Sequence, residues 1–240
     1  MKRIVALMLA LMLCLGMAAL AEESDLAYVQ ANGKLVVGIT DFAPMDYKDE
    51  SGEWIGFDAD MAKAFAASLG VEVEFIEIDW DNKILELNNK SIDVVWNGMT
   101  LTEDVKAAME TSNAYANNAQ VVIVPADVAD QYQTAESIAE LNIAVENGSA
   151  GEEVVSALGY SIVEVGTQAD TLMEVAAGTS DAAVIDSLMA AAMVGEGTGY
   201  PNLTYTVGWF VMSTYEEFMV ILTAGLLLVA ILNMKNNNKK

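Results

Sequence analysis

Five short segments carry side chains suited to holding a small polar molecule: Thr40-Asp41-Phe42, Asp79-Trp80, Asn97-Gly98-Met99-Thr100, Asn147-Gly148-Ser149 and Asp186-Ser187. Each follows an apolar run of strand character, and open parallel sheets bind ligands beyond the carboxyl ends of their strands. Carboxylates, amides and aromatic faces in that position suit recognition. Catalysis is poorly supplied. The chain has no histidine, so it has no imidazole base, no Ser-His-Asp triad and no histidine metal site. Asp41, Glu146 and Asp186 could act as acids or bases, but the sequence gives them no partner. The single cysteine, Cys14, excludes an internal disulfide and a thiolate zinc cluster. No metal and no cofactor are expected.

Alternating strands and helices must position these segments. Residues 34–39 read as a strand and 58–69 as a helix, with Met61, Ala64, Phe65 and Leu69 on one face and Gly70 as its stop. Residues 71–78 read as a strand, 81–88 as a helix and 93–96 as a strand, and Thr102 caps a helix running towards Met109. After an apolar strand at 120–124 a second set begins, with strands at 142–145, 161–165 and 181–185 and helices at 151–158 and 167–177. Such alternation implies an α/β fold of βαβ units with mainly parallel sheets. The expected organisation is lobe one at 22–120, hinge and lobe two at 121–207, and an apolar tail at 208–240. The five polar segments would then face one another across a cleft.

Charge narrows the partners. Eleven Lys+Arg against 35 Asp+Glu give a formal charge of −24 in 240 residues, which repels phosphate backbones and excludes nucleic-acid binding. The 54% hydrophobic content exceeds the usual globular range, and the two ends account for it. Lys2 and Arg3 precede an apolar run ending near Leu15, and Ala19-Leu20-Ala21 stands before Glu22. This pattern reads as a cleaved secretory signal at 1–21. Lipidation at Cys14 is the minor alternative, because Leu13 replaces the small residue that a lipobox wants. Arg3 is the only arginine, so the exported chain has none.

The motifs VGITDFAP (37–44), GFDAD (56–60), Ile92-Asp93, GMTLTE (98–103) and DAAVID (181–186) resemble those of the extracellular solute-binding proteins, family 3, of polar amino-acid ABC importers. The resemblance covers residues 26–207. It implies a two-lobed, periplasmic-binding-protein-like fold of type II and a monomer without catalytic activity. It also implies capture of a small polar, amino-acid-like solute for an ABC importer permease. Carried over by position, Phe42 and Trp80 resemble the aromatic walls of the slot, and Asp41, Asn97, Gly98 and Thr100 its first-lobe polar contacts. Gly148 and Ser149 resemble the turn that meets the ligand carboxylate, and Asp186 the partner of its ammonium. An exported enzyme resembling the cyclohexadienyl dehydratases and a membrane-tethered sensor module are the alternatives.

Two departures stand out. Val105 occupies the place of the family's carboxylate-forking arginine, and Lys106 beside it lies about 100° around a helix. Glu146 stands where a basic residue is common. Both changes make the pocket more acidic. After residue 207 the resemblance is expected to stop. Residues 218–232 carry no charge, about 22 Å as a helix against a hydrocarbon core of ~30 Å. Three readings of this tail are open: a membrane anchor with contact through 209–234, a helix replacing lost core of lobe one, and a frame-shifted end.

Overall fold

The computed structural model describes residues 24–206 and, as backbone, residues 216–222. The signal segment, Cys14 and the remainder of the tail lie outside the described residues.

Lobe one begins with α1 (Asp25–Asn32), β1 (Lys34–Ile39) and the short pair β2 (Tyr47–Lys48) and β3 (Trp54–Ile55). It continues through α2 (Phe57–Leu69), β4 (Glu72–Glu77), α3 (Lys83–Asn88), β5 (Val94–Thr100), α4 (Glu103–Ala108) and β6 (Ala116–Asn118). Lobe two comprises β7 (Gln120–Pro125), β8 (Asn142–Glu146), α5 (Ala150–Ala157), β9 (Ser161–Val165), α6 (Gln168–Ala177), β10 (Ala182–Asp186), α7 (Ser187–Met193) and β11 (Leu203–Thr206). The chain then returns to lobe one as β12 (Glu216–Leu222).

Each lobe is built on a five-stranded sheet, ordered β4-β1-β5-β12-β6 in lobe one and β11-β7-β10-β8-β9 in lobe two. The sheets are mixed rather than mainly parallel. β1 runs parallel to β4 and β5, while β12 is antiparallel to β5 and β6. Lobe two repeats the scheme, with β8 parallel to β9 and β10, and β7 antiparallel to β10 and β11. The antiparallel strands are those that carry the chain between lobes, so connectivity produces the mixture. Only Ala119 separates β6 from β7 at the first crossing.

β12 corrects the reading of the tail. One of the three readings left open for the tail was a helix replacing part of lobe one, but residues 216–222 form a strand inside the first sheet. Residues 218–222 are a continuous apolar run, which periodicity alone does not assign to strand or helix. The first lobe therefore has a returning strand, and there are two crossings between lobes. Among the described residues no helix is long and apolar enough to cross a membrane.

The α2 helix also differs in detail. Its buried stripe is Ala59, Ala62, Ala66 and Leu69, whereas Met61 is 47% exposed. Three alanines let the helix approach the sheet closely, and Phe65 reaches the Trp96 ring at 5.6 Å from the stripe's edge. Gly70 ends the helix in the left-handed region at φ 75°, returning its N–H to Ala66 and Ala67 carbonyls. In lobe two every residue of β10 is buried, which fixes the strand end that delivers Asp186.

Candidate functional site

A cavity of about 330 Å³ lies between the lobes at the strand ends. A larger hollow of about 470 Å³ on lobe one, beside Tyr28, Lys90, Lys106 and Met109, is away from those ends and has walls from one lobe only. The convergence of two lobes places the candidate site in the first.

The lobe-one wall comes from β5 and from the turn leading into α3. Asn97, Gly98 and Thr100 occupy the carboxyl end of β5. The Asn97 amide donates to Thr40 Oγ1 at 2.7 Å, and Asn97 Oδ1 accepts the Thr40 N–H at 3.2 Å, tying β5 to β1. Trp80 opens a 3₁₀ turn and is buried, with one side in the apolar core beneath β5. Lys83 follows at the start of α3. Its ammonium stands 4.7 Å from the Trp80 ring centroid and donates to the Trp80 carbonyl at 3.1 Å. It also crosses the cleft to the Gly148 carbonyl at 2.9 Å. Burial lowers the Lys83 pKa, against the opposing charges of Glu146, Asp81 and Glu152.

The lobe-two wall comes from the ends of β8 and β10. After Glu146 the chain turns at Gly148, whose φ of 73° suits glycine. A Cβ there would stand 2.7 Å from the Asp81 Cα, so the lobes meet backbone to backbone at this point. Ser149 caps α5 by accepting the Glu152 N–H at 3.1 Å. The Glu152 carboxylate reaches back to accept the Gly148 N–H at 2.6 Å.

Asp186, at the end of β10, is buried and accepts amide N–H groups from Asn118, Gln120 and Gln168. The Gln120 contact is 2.9 Å, and the Asp186 N–H in turn donates to Gln168 Oε1 at 2.9 Å. Burial raises its pKa to about 6, while the Gln168, Asn118 and Gln120 amides hold it down. Glu146 is pushed further, to about 8, first by burial and then by the Asp186 charge. The two carboxyls therefore share the floor of the cavity with incomplete charge at neutral pH.

Seven of the nine residues proposed from sequence line this cavity: Trp80, Asn97, Gly98, Thr100, Gly148, Ser149 and Asp186. Asp41 and Phe42 do not. Asp41 is exposed, and Phe42 packs with Met45 among lobe-two residues such as Leu172 and Met189. Sequence reasoning missed Lys83 and Glu152. Each looked like an ordinary charged residue in a helical first turn, although an (i, i+3) relation to Trp80 and Ser149 respectively was readable. Val105 is buried and lines the cavity, whereas Lys106 points away and pairs with Glu103 at 2.8 Å.

A second group of acids lies inside lobe one. Asp46 and Asp58 are fully buried. Burial and the Asp58 charge raise Asp46 to about 9, and burial raises Asp58 to about 6, opposed by the neighbouring Tyr115 hydroxyl and Trp96 indole N–H.

The profile of the bacterial extracellular solute-binding proteins, family 3, matches residues 35–238. The match runs past residue 207, so the expectation that the resemblance stops there is corrected. The chain is 28% identical over 162 residues to the arginine-binding extracellular protein ArtP of Bacillus subtilis; the alignment covers 65% of this chain and 62% of that protein. The arginine-bound form of truncated ArgBP from T. maritima superposes with a TM-score of 0.78 at 31% identity, over 87% of this chain and 98% of that one. An ancestral amino acid-binding protein, AncCDT-1, described as a precursor of cyclohexadienyl dehydratase, gives 0.77 at 30% identity, covering 90% and 94% of the two chains.

Proposed function

The chain belongs to the bacterial extracellular solute-binding proteins, family 3, and from that premise we propose that it captures a small amine-bearing solute outside the cytoplasm for an ABC importer. The observation that carries this reading is the charge of the interlobe wall. Asp81, Asp104, Glu146, Glu152, Glu153 and Asp186 line it against a single lysine, Lys83. Coulomb attraction from these carboxylates offsets part of the hydration that a cation loses on entering that wall. The volume of about 330 Å³ suits an amino-acid-sized molecule. ArtP and ArgBP, named for arginine, support the same class. Trp80, Asn97, Gly98, Thr100, Gly148, Ser149 and Asp186 are the proposed contacts, with lobe closure as a hinge motion that the ligand favours. The acidic wall speaks against the dehydratase alternative, since a dicarboxylate substrate needs cations that the cavity does not supply.

Calorimetric titration of the purified protein tests this. Arginine, histidine or a related amine should bind with micromolar or better affinity, and glutamate should not. Binding of glutamate alone, or of no amine, would sink the reading.

A further inference from the structure

Two carboxyls and too few cations meet at the edge of the lobe-two sheet. β8 and β10 run parallel and side by side, with Ile143 opposite Ala182 and Ala144 opposite Ala183, so Glu146 and Asp186 end neighbouring strands at the same edge. Both residues are buried and line the interlobe cavity. Among the described residues lining that cavity the only cation is Lys83, whose ammonium already donates to the Trp80 and Gly148 carbonyls. Its charge is also shared among Glu146, Asp81 and Glu152. Neighbouring buried carboxylates repel each other, so such a pair retains a proton that isolated carboxyls would lose. The amide donors decide where that proton sits. Asp186 accepts N–H groups from Asn118 on β6, Gln120 on β7 and Gln168 on α6, and such donors favour the charged form. Glu146 draws on the side chain and backbone of Gln168, and the charges facing it are Asp186 and Lys83. The proton therefore belongs to Glu146, in line with its upward shift to about 8, caused first by burial and then by Asp186.

We infer that Glu146 is a ligand-binding residue that gives up a proton on capture: an ammonium or guanidinium entering beside Asp186 converts it from a neutral acid to a carboxylate, and the proton passes to solvent. This rests on the amine-binding reading above and adds to it a binding group and a change of charge. The ligand supplies the positive charge that the carboxyl pair lacks, which lowers the proton affinity of Glu146. By linkage the proton competes with the ligand, so affinity rises with pH across the range in which the ligand-free site is protonated. Neutral to mildly alkaline pH favours capture, and acid opposes it.

The test is calorimetric titration of the purified protein with arginine and with lysine at pH 7, in phosphate and in Tris. These buffers differ in ionisation enthalpy, so the difference in binding heat counts the protons released. Roughly 0.5–1 proton should leave per bound ligand, and the dissociation constant should fall about three- to tenfold from pH 6 to pH 7. Glu146→Gln keeps the shape of the neutral acid and has no proton to lose. It should release close to none, flatten the pH dependence and bind more weakly than the unmodified protein above pH 7. Release of less than about 0.5 proton from the unmodified protein overturns the inference whether or not the variant folds, and leaves amine binding intact. Undiminished release from Glu146→Gln assigns the proton to another group and overturns it as well. If neither arginine nor lysine binds, the inference falls, while titration with histidine and other amines decides the amine-binding reading separately.

Discussion

The Lys83 ammonium of lobe one and the Gly148 carbonyl of lobe two stand 2.9 Å apart, so a charged donor bridges the lobes at the mouth of the cavity. The same turn lies against the Asp81 backbone, where even a methyl group would clash. Closure here is a close approach of two turns, one from each lobe, held by one long side chain. Lys83→Met removes the bridge and keeps the stem's apolar volume. Charge-assisted hydrogen bonds contribute roughly 1.5–3 kcal/mol when desolvated, so the ligand-free variant should populate more open forms. Small-angle scattering should record a larger radius of gyration, restored by ligand. An unchanged scattering curve would remove Lys83 from the closing contact.

Asp186→Asn should weaken cation binding by roughly 1.5–3 kcal/mol, the usual range for a hydrogen bond to a charged group. It should also cost about 1–3 kcal/mol of stability, because an amide N–H₂ would confront donors from Asn118, Gln120 and Gln168. Titration calorimetry and denaturant unfolding separate the two effects. Full retention of affinity would exclude Asp186 from the ligand contacts.

Trp80 is the aromatic wall and carries a cation over its face. Ligand addition should change tryptophan emission, and Trp80→Leu should remove most of that change. Trp54 and Trp96 are buried in lobe one away from the cavity wall and should contribute little. A Trp80→Leu protein that keeps signal and affinity would move the site elsewhere.

Stability should fall as pH rises through the neutral range. Asp46, Glu146, Asp58 and Asp186 have folded-state pKa values near 9, 8, 6 and 6, all above ordinary carboxyl values. A raised folded pKa means that the folded state holds its proton where the unfolded state has lost it. The associated stability is complete below about pH 4 and is lost progressively up to each folded value. For Asp46 that window reaches about pH 9. Each group can contribute up to about 1.4 kcal/mol per pH unit inside its window. Asp46→Asn should therefore flatten the decline between pH 5 and 8 in thermal unfolding; an unaltered slope would show that Asp46 is ionised in the fold.

How legible this molecule is from its residues depends on the signal each element leaves. The ends of β8 and β10 were legible because apolar runs stop at Glu146 and Asp186, whereas β5 runs on through the polar Asn97 to Thr100, past the end expected at residue 96. The α2 stripe was misassigned because size was favoured over phase: Met61 is larger than Ala62, but Ala62 faces the sheet. β12 was illegible as a strand because apolar residues on both faces erase the alternation of period two. Asp41 and Phe42 were placed in the cavity through their strand end, yet the tight turn from Phe42 to Asp46 carries the ring into the lobe-two cluster. Lys83 and Glu152 act through backbone partners that no residue pattern announces.

The position of β12 also dictates an order of assembly. Lobe two is made from one uninterrupted stretch, residues 120–206, and can pair all its strands as soon as that stretch is available. Lobe one cannot. Its β5 and β6 become joined only through a strand from residues 216–222, so its sheet stays split until nearly the whole chain has emerged. A chain delivered amino end first would thus present an open β5 edge throughout its delivery, a surface prone to pairing with other strands. Lobe one, first to be made, is the last to be completed.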